Sequence, residues 1–271
     1  MGTELLPQHI PPQKDADKNH VGVPAPEHLP QVLRFSPELH DAFNDVQRVI
    51  ENMRSVATRK AMHVIGIASA VPQEGVSTLA TMMAIMAAKN SKAPGAGLPK
   101  KISKKNTSPR ELNGRQQGIL LIDAQMRHPS LHEILGVPLA PGLRELLADE
   151  VSLADSLKLI STAGLQLITA GQGWLAPFTP INSENLKSHL DQLKPEFEFV
   201  FLDLPPLLRA AEGIALSKLC DGVVLVIHAH QTRWEIIAEA KRLLENSGVY
   251  VLGGVLNRRM FFIPEKIYRR L

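Results

Sequence analysis

The chain has 271 residues, 44% of them apolar and 21% charged, which supports one sizeable hydrophobic core and excludes collagen, coiled-coil and wholly disordered classes. No apolar run approaches the roughly 20 residues of a membrane-spanning helix, the N-terminus lacks the charged start and apolar stretch of a secretory signal, and the single Cys220 excludes an internal disulfide and fits a reducing cytoplasm. The net charge of +3 does not point to nucleic acid: residues 91–117 carry seven Lys and Arg against Glu111 alone, a net +6 that leaves −3 for the rest, and aromatics at 4% offer little to stack on bases.

Residues 1–35 contain six prolines and few large apolar groups, the composition of an extended, disordered leader. Ser36 and Pro37 then form a helix start, and Leu39, Phe43, Val46, Ile50 and Met53 recur at steps of four and three, an amphipathic stripe. The stripe serves either the chain's own core or contact with a neighbouring subunit or partner. From His63 short apolar runs alternate with helical patterns. Strands are expected at 63–69, 118–124, 165–170, 197–203, 222–229 and 249–257, and helices at 77–90, 182–194, 211–219 and 232–247, with shorter pieces around 130–157. Strands this apolar are buried on both faces, so residues 36–271 read as one doubly wound, mostly parallel α/β domain. The Lys-, Pro- and Gly-rich segment 91–117 is far longer than an ordinary connection of about 2–6 residues and reads as a disordered basic insertion. A basic tail spans 258–271, with five Lys and Arg against Glu265.

In an open parallel sheet ligands gather at the C-terminal strand ends. After the first strand comes Ala70-Val71-Pro72-Gln73-Glu74-Gly75-Val76-Ser77-Thr78, leading into a helix, after the second Asp123-Ala124-Gln125-Met126-Arg127, after the fourth Asp203-Leu204-Pro205-Pro206, and the last strand ends at Asn257. A strand, a glycine turn, a Ser/Thr and a helix place amide N–H groups and the positive helix end toward an anion. Laid on the phosphate-loop pattern G-x-x-x-x-G-K-[ST], Gly75 and Ser77 fit, while Ala70 and Val76 replace the first glycine and the lysine. A carboxylate directly after ILLI or FVFL needs compensation, by a cation or its waters, or by capping the next helix. His128 with His132, and His228 with His230, read as turn and helix-start histidines, and Cys220 as core filling. Phe261, Phe262 and Tyr268 among the tail's basic residues suit an anionic membrane surface, a partner chain or packing on the chain's own domain.

The segments VPQEGVSTLA, LLIDAQMRHPSLHEILGV, PGLRELLADE, FVFLDLPPLL, DGVVLVIHAHQTR and LGGVLNRR resemble, in order and spacing, the bacterial tyrosine autokinases (BY-kinases) of capsule and exopolysaccharide assembly, over roughly residues 36–271. More distantly they resemble the partitioning and cell-division ATPases of the same superfamily, of the MinD/ParA type. The resemblance implies a P-loop NTPase fold with Gly75, Val76, Ser77, Thr78 and Asn257 at the nucleotide. It implies Ser77, Asp123 and Asp203 at Mg²⁺, and Asp123, Arg127 and Asp203 as the catalytic set, with ATP and Mg²⁺ as cofactors and Tyr268 as the phosphorylation candidate. As partners it implies a Wzz-like polysaccharide co-polymerase of the inner membrane and further copies of the chain, with the protein cytoplasmic and peripheral at that membrane. The departures are specific. The family's P-G-E-G-K-S is here Pro72-Gln73-Glu74-Gly75-Val76-Ser77, the second acid of its D-x-D-x-R is Gln125, its tyrosine-rich tail is reduced to Tyr268, and its E-x-x-R-x-x-R helix is poorly kept in Asp41–Arg48. Together they lead to the expectation of a regulatory relative with a degenerate ATP site and little or no kinase activity. The alternatives are an active autokinase with an atypical loop and a MinD/ParA-like positioning ATPase.

Overall fold

The computed structural model describes residues 38–60, 62–91, 118–160, 164–173 and 183–258. The expected leader, residues 92–117 of the insertion, the tail beyond Arg258 with Tyr268, and the side chain of Phe43 lie outside the described residues. In chain order the elements are α1 (Glu38–Lys60), β1 (Val64–Ser69), α2 (Val76–Lys89), β2 (Gly118–Asp123), α3 (Leu131–Leu135), α4 (Leu143–Leu147), α5 (Leu153–Ser156), β3 (Lys158–Ile160), β4 (Leu165–Ile168), α6 (Ser183–Leu193), β5 (Phe197–Asp203), α7 (Ala211–Ser217), β6 (Gly222–His228), α8 (Trp234–Asn246) and β7 (Val251–Asn257).

The seven strands form one sheet in the order β3-β4-β2-β5-β1-β6-β7. Every pair is parallel except β3 with β4. The near-continuous apolar runs of β1, β2 and β5 are buried on both faces, because helices cover the sheet on each side. One core joins the sheet to α1, α2 and α3, and the other joins it to α4 through α8. The strand missing from the sequence expectation is β3, three residues at the antiparallel edge with Leu159 exposed. So short a run carries no period to detect.

The α1 stripe corrects one of the two expectations for it. Val46, Ile50 and Met53 are buried against the residues of α2 in the chain's own core, so they are not a subunit contact. Arg54 reinforces the docking: its Nε donates to Glu198 Oε1 at 2.7 Å and its Nη2 to the Ala87 carbonyl at 3.2 Å, tying α1 to β5 and α2. At the other end of the sheet Glu145 accepts from the Gly142 and Gln172 N–H groups, both at 2.8 Å, which fixes the short α4 beside the end of β4.

Two features of this topology build the site. The central β1 lies between β5 and β6, so the loop leaving it is flanked by the ends of both. β2 and β5 are paired with Asp123 directly opposite Asp203, which sets two carboxylates side by side.

Candidate functional site

The loop from β1 turns into α2 through Gly75, which has φ +87° and caps the helix. A Cβ there would lie 2.2 Å from Asn257 Nδ2, so the position requires glycine both for its left-handed backbone and for the approach of β7's last residue. Asn257 Nδ2 donates to the Glu74 carbonyl at 2.8 Å. The Glu74 side chain is only 2% exposed; its Oε2 accepts from Val71 N–H at 3.2 Å, and its Oε1 accepts from His228 N–H at 3.1 Å and from the Thr232 hydroxyl. The loop is thus fastened to the ends of β6 and β7. Asn257, which the resemblance puts at the nucleotide, also holds the loop through its amide, and sequence reasoning missed Glu74 and Thr232, whose pairing spans 158 residues.

At the start of α2, Val76 is 6% exposed and belongs to the core shared with Leu79 and Met83. Valine brings neither a charge nor a hydrogen-bond donor to this position. Ser77 is half-buried and Thr78 exposed. Asp123 and Asp203 are fully buried. Asp123 Oδ1 accepts from Gln125 N–H at 3.0 Å and its Oδ2 from Ser130 N–H at 3.3 Å and Leu131 N–H at 3.2 Å, so it caps the start of α3. Burial raises its pKa; the N–H groups of Leu131, Gln125 and Ser130 and the neighbouring His132 oppose the rise. Asp203 is pushed up to about 8, first by burial and then by the Asp123 charge, against hydrogen bonds from Ser77 and Gln125. Its Oδ2 has no partner.

Gln125 joins these groups. Its Nε2 donates to Asp203 Oδ1 at 2.7 Å and to Ser77 Oγ at 3.1 Å. Arg127 lies apart from the two carboxylates, with Nε donating to Glu212 Oε1. Burial raises the Glu212 carboxyl, but the hydrogen bond and charge of Arg127 outweigh it and hold the group below the usual range. Glu212, in the first turn of α7, carried no sequence signal. A cleft of about 150 Å³ lies here, lined by Pro72, Gln125, Arg127, Pro205, Arg209 and Glu212. A second, of about 310 Å³, lies on the other side of the loop between Gln73, Glu74, His228, Thr232, Arg233 and Arg258. Cys220 is half-buried in the core, with burial pushing its thiol up.

No family model matches the chain. CapB of Staphylococcus aureus is 31% identical over 139 residues, 51% of this chain and 61% of CapB. The tyrosine-protein kinase YwqD of Bacillus subtilis is 26% identical over 206 residues, 76% of each chain. Among solved structures, the chimerical protein CapA2B2 superposes with a TM-score of 0.64 at 26% identity, covering 84% of this chain and 88% of that one. In sequence and in fold the chain is similar to bacterial tyrosine-protein kinases. Its fold is that of the P-loop NTPases, shared with the septum-site-determining protein MinD of Pyrococcus horikoshii, which was solved with Mg-ADP (TM-score 0.54, 19% identity, 76% of each chain). The chain spans less than two thirds of CapB's length.

The donor set decides whether a magnesium ion fits between these residues. Magnesium takes six oxygen ligands at about 2.1 Å in near-ideal octahedral geometry. Here one amide nitrogen hydrogen-bonds both Ser77 Oγ and Asp203 Oδ1, and both Asp123 oxygens accept backbone N–H groups. The residues as they stand do not fit the ion.

Proposed function

We propose that the chain is a regulatory member of the bacterial tyrosine-kinase family that serves capsule or exopolysaccharide assembly with little or no kinase activity. In this reading it is one α/β domain over residues 36–271, preceded by a leader and carrying the basic insertion 91–117 and the basic tail 258–271. It works in the cytoplasm, against the inner membrane through a polysaccharide co-polymerase and in company with other copies of itself. No helix among the described residues is long and apolar enough to cross a membrane.

The observation that carries the reading is the burial of Val76 in the core of α2. A lysine reaching the outer phosphates supplies charge-assisted contacts of about 1.5–3 kcal/mol, which backbone N–H groups at the helix start partly replace. Transition-state charge has no such substitute, and losing one preorganised donor costs about 100- to 1,000-fold in rate. Gly75, Val76, Ser77, Thr78, Asn257, Asp123, Arg127 and Asp203 remain the proposed site, with ATP contacts weak or absent. The positioning-ATPase alternative has only the shared fold in its support.

The test is complementation. In a strain lacking the gene, the unmodified chain and Asp203→Asn should restore polymer amount and chain length equally, because the chain acts through its shape and partners. Loss of the polymer with Asp203→Asn, in a variant shown by circular dichroism to be folded, would reject the regulatory reading in favour of a kinase.

A further inference from the structure

The Gln125 carboxamide lies where a cation would join the hydroxyl at the start of α2 to the carboxylate at the end of β5. Its two N–H bonds are both committed, one to Asp203 Oδ1 at 2.7 Å and one to Ser77 Oγ at 3.1 Å. These partners belong to elements separated by more than a hundred residues, so the amide is a cross-link between the phosphate loop and the central sheet. Without a donor at this point, Asp203, buried and paired with Asp123 across the strand pair, would lose the hydrogen bond that Gln125 gives its Oδ1.

We propose that the Gln125 amide is a built-in substitute for the divalent cation: it holds Ser77 and Asp203 together in the chain by itself, and the chain neither binds Mg²⁺ at this place nor gains ligand affinity from it. The proposal deepens the regulatory reading above and rests on it for the identity of the site. Its content is separate, because it concerns the metal rather than the chemistry. The loop is kept in one arrangement by bonds internal to the protein: the amide on Ser77 and Asp203, the Asn257 amide on the Glu74 carbonyl, and Glu74 on His228 and Thr232. A hard oxygen-seeking cation entering between Ser77 and Asp203 has to displace a donor already satisfied on both sides. Gln125 is accordingly a positioning residue whose presence makes the site independent of metal.

The experiment measures Mn²⁺ bound to the full-length, nucleotide-free chain by electron paramagnetic resonance, together with the thermal midpoint in EDTA and in excess Mg²⁺. The unmodified chain should leave the free Mn²⁺ signal undiminished and show the same midpoint in both buffers. Gln125→Asp should gain Mn²⁺ affinity by at least about tenfold and melt lower in EDTA than in Mg²⁺, since a bound ion raises the midpoint by mass action. Gln125→Ala, which removes the donor without adding charge, should show the same Mg²⁺-dependent recovery in weaker form and keeps the test open if the third carboxylate prevents folding. Mn²⁺ bound by the unmodified chain and lost in Asp203→Asn would overturn the proposal, as would two Gln125 variants as indifferent to metal as the parent. Rejection of the regulatory reading has a different signature, the complementation failure of Asp203→Asn, so the two failures are distinguishable.

Discussion

Asp203 is the residue whose environment most constrains what the site does. Its pKa of about 8 lies above the ordinary 3.8 because burial and Asp123 both disfavour the anion. Between those values the folded state holds a proton that the unfolded state has lost, so stability falls as pH rises through this window and the loss is complete above about 8. Asp203→Asn keeps the oxygen that accepts from Gln125 and removes the group that can ionise. In urea unfolding the variant should match the parent near pH 5 and exceed it at pH 9 by on the order of 1–3 kcal/mol. An unchanged difference across that range would mean that the carboxyl is not held neutral by the fold. At Gly75, a Cβ would meet the Asn257 amide in a left-handed turn. Gly75→Ala should cost about 2 kcal/mol, part from the turn and part from the displaced bond. A double-mutant cycle with Asn257→Ala should show the second part as coupling, and strict additivity would deny the contact. Gly75, Ser77, Asp123 and Asp203 were readable from the sequence because strand ends declare themselves where an apolar run meets a polar residue. Gln125, Glu74 and Glu212 were not readable in their roles, because each depends on a partner brought close only by the fold.

At the scale of elements, the long apolar runs gave the parallel strands within a few residues, since burial on both faces removes any alternation that could blur them. The same apolarity fixed α2, whose surface is enclosed by α1, the sheet and α3. Periodicity alone left α1 undecided: a helix stripe looks the same whether its cover is the same chain or another. Packing of Val46, Ile50 and Met53 against α2 decides it. Ile50→Ala should therefore cost about 2–5 kcal/mol in chemical unfolding, and Val46→Asp should abolish the folded state rather than only weaken assembly. A Val46→Asp protein that stays folded and loses only its self-association would return the stripe to an interface.

Over the whole molecule, the strand order places the loop of β1 between two neighbours with different tasks. β5 delivers Asp203 beside Asp123 of β2, while β6 and β7 fasten the loop through Glu74 and Asn257. The parallel-sheet frame thus carries Val76 in its core and Gln125 as the link between loop and sheet. The central claim is that such a chain transfers no phosphate. The most direct measurement is phosphotyrosine, by mass spectrometry, on the purified full-length protein incubated with ATP and Mg²⁺, in parallel with Val76→Lys combined with Gln125→Asp. The unmodified chain should carry none, at Tyr268 or elsewhere, and restoring both positions should raise ATP affinity and bring measurable labelling. Mg²⁺-dependent tyrosine phosphorylation by the unmodified chain, abolished in Asp123→Asn, would contradict the account.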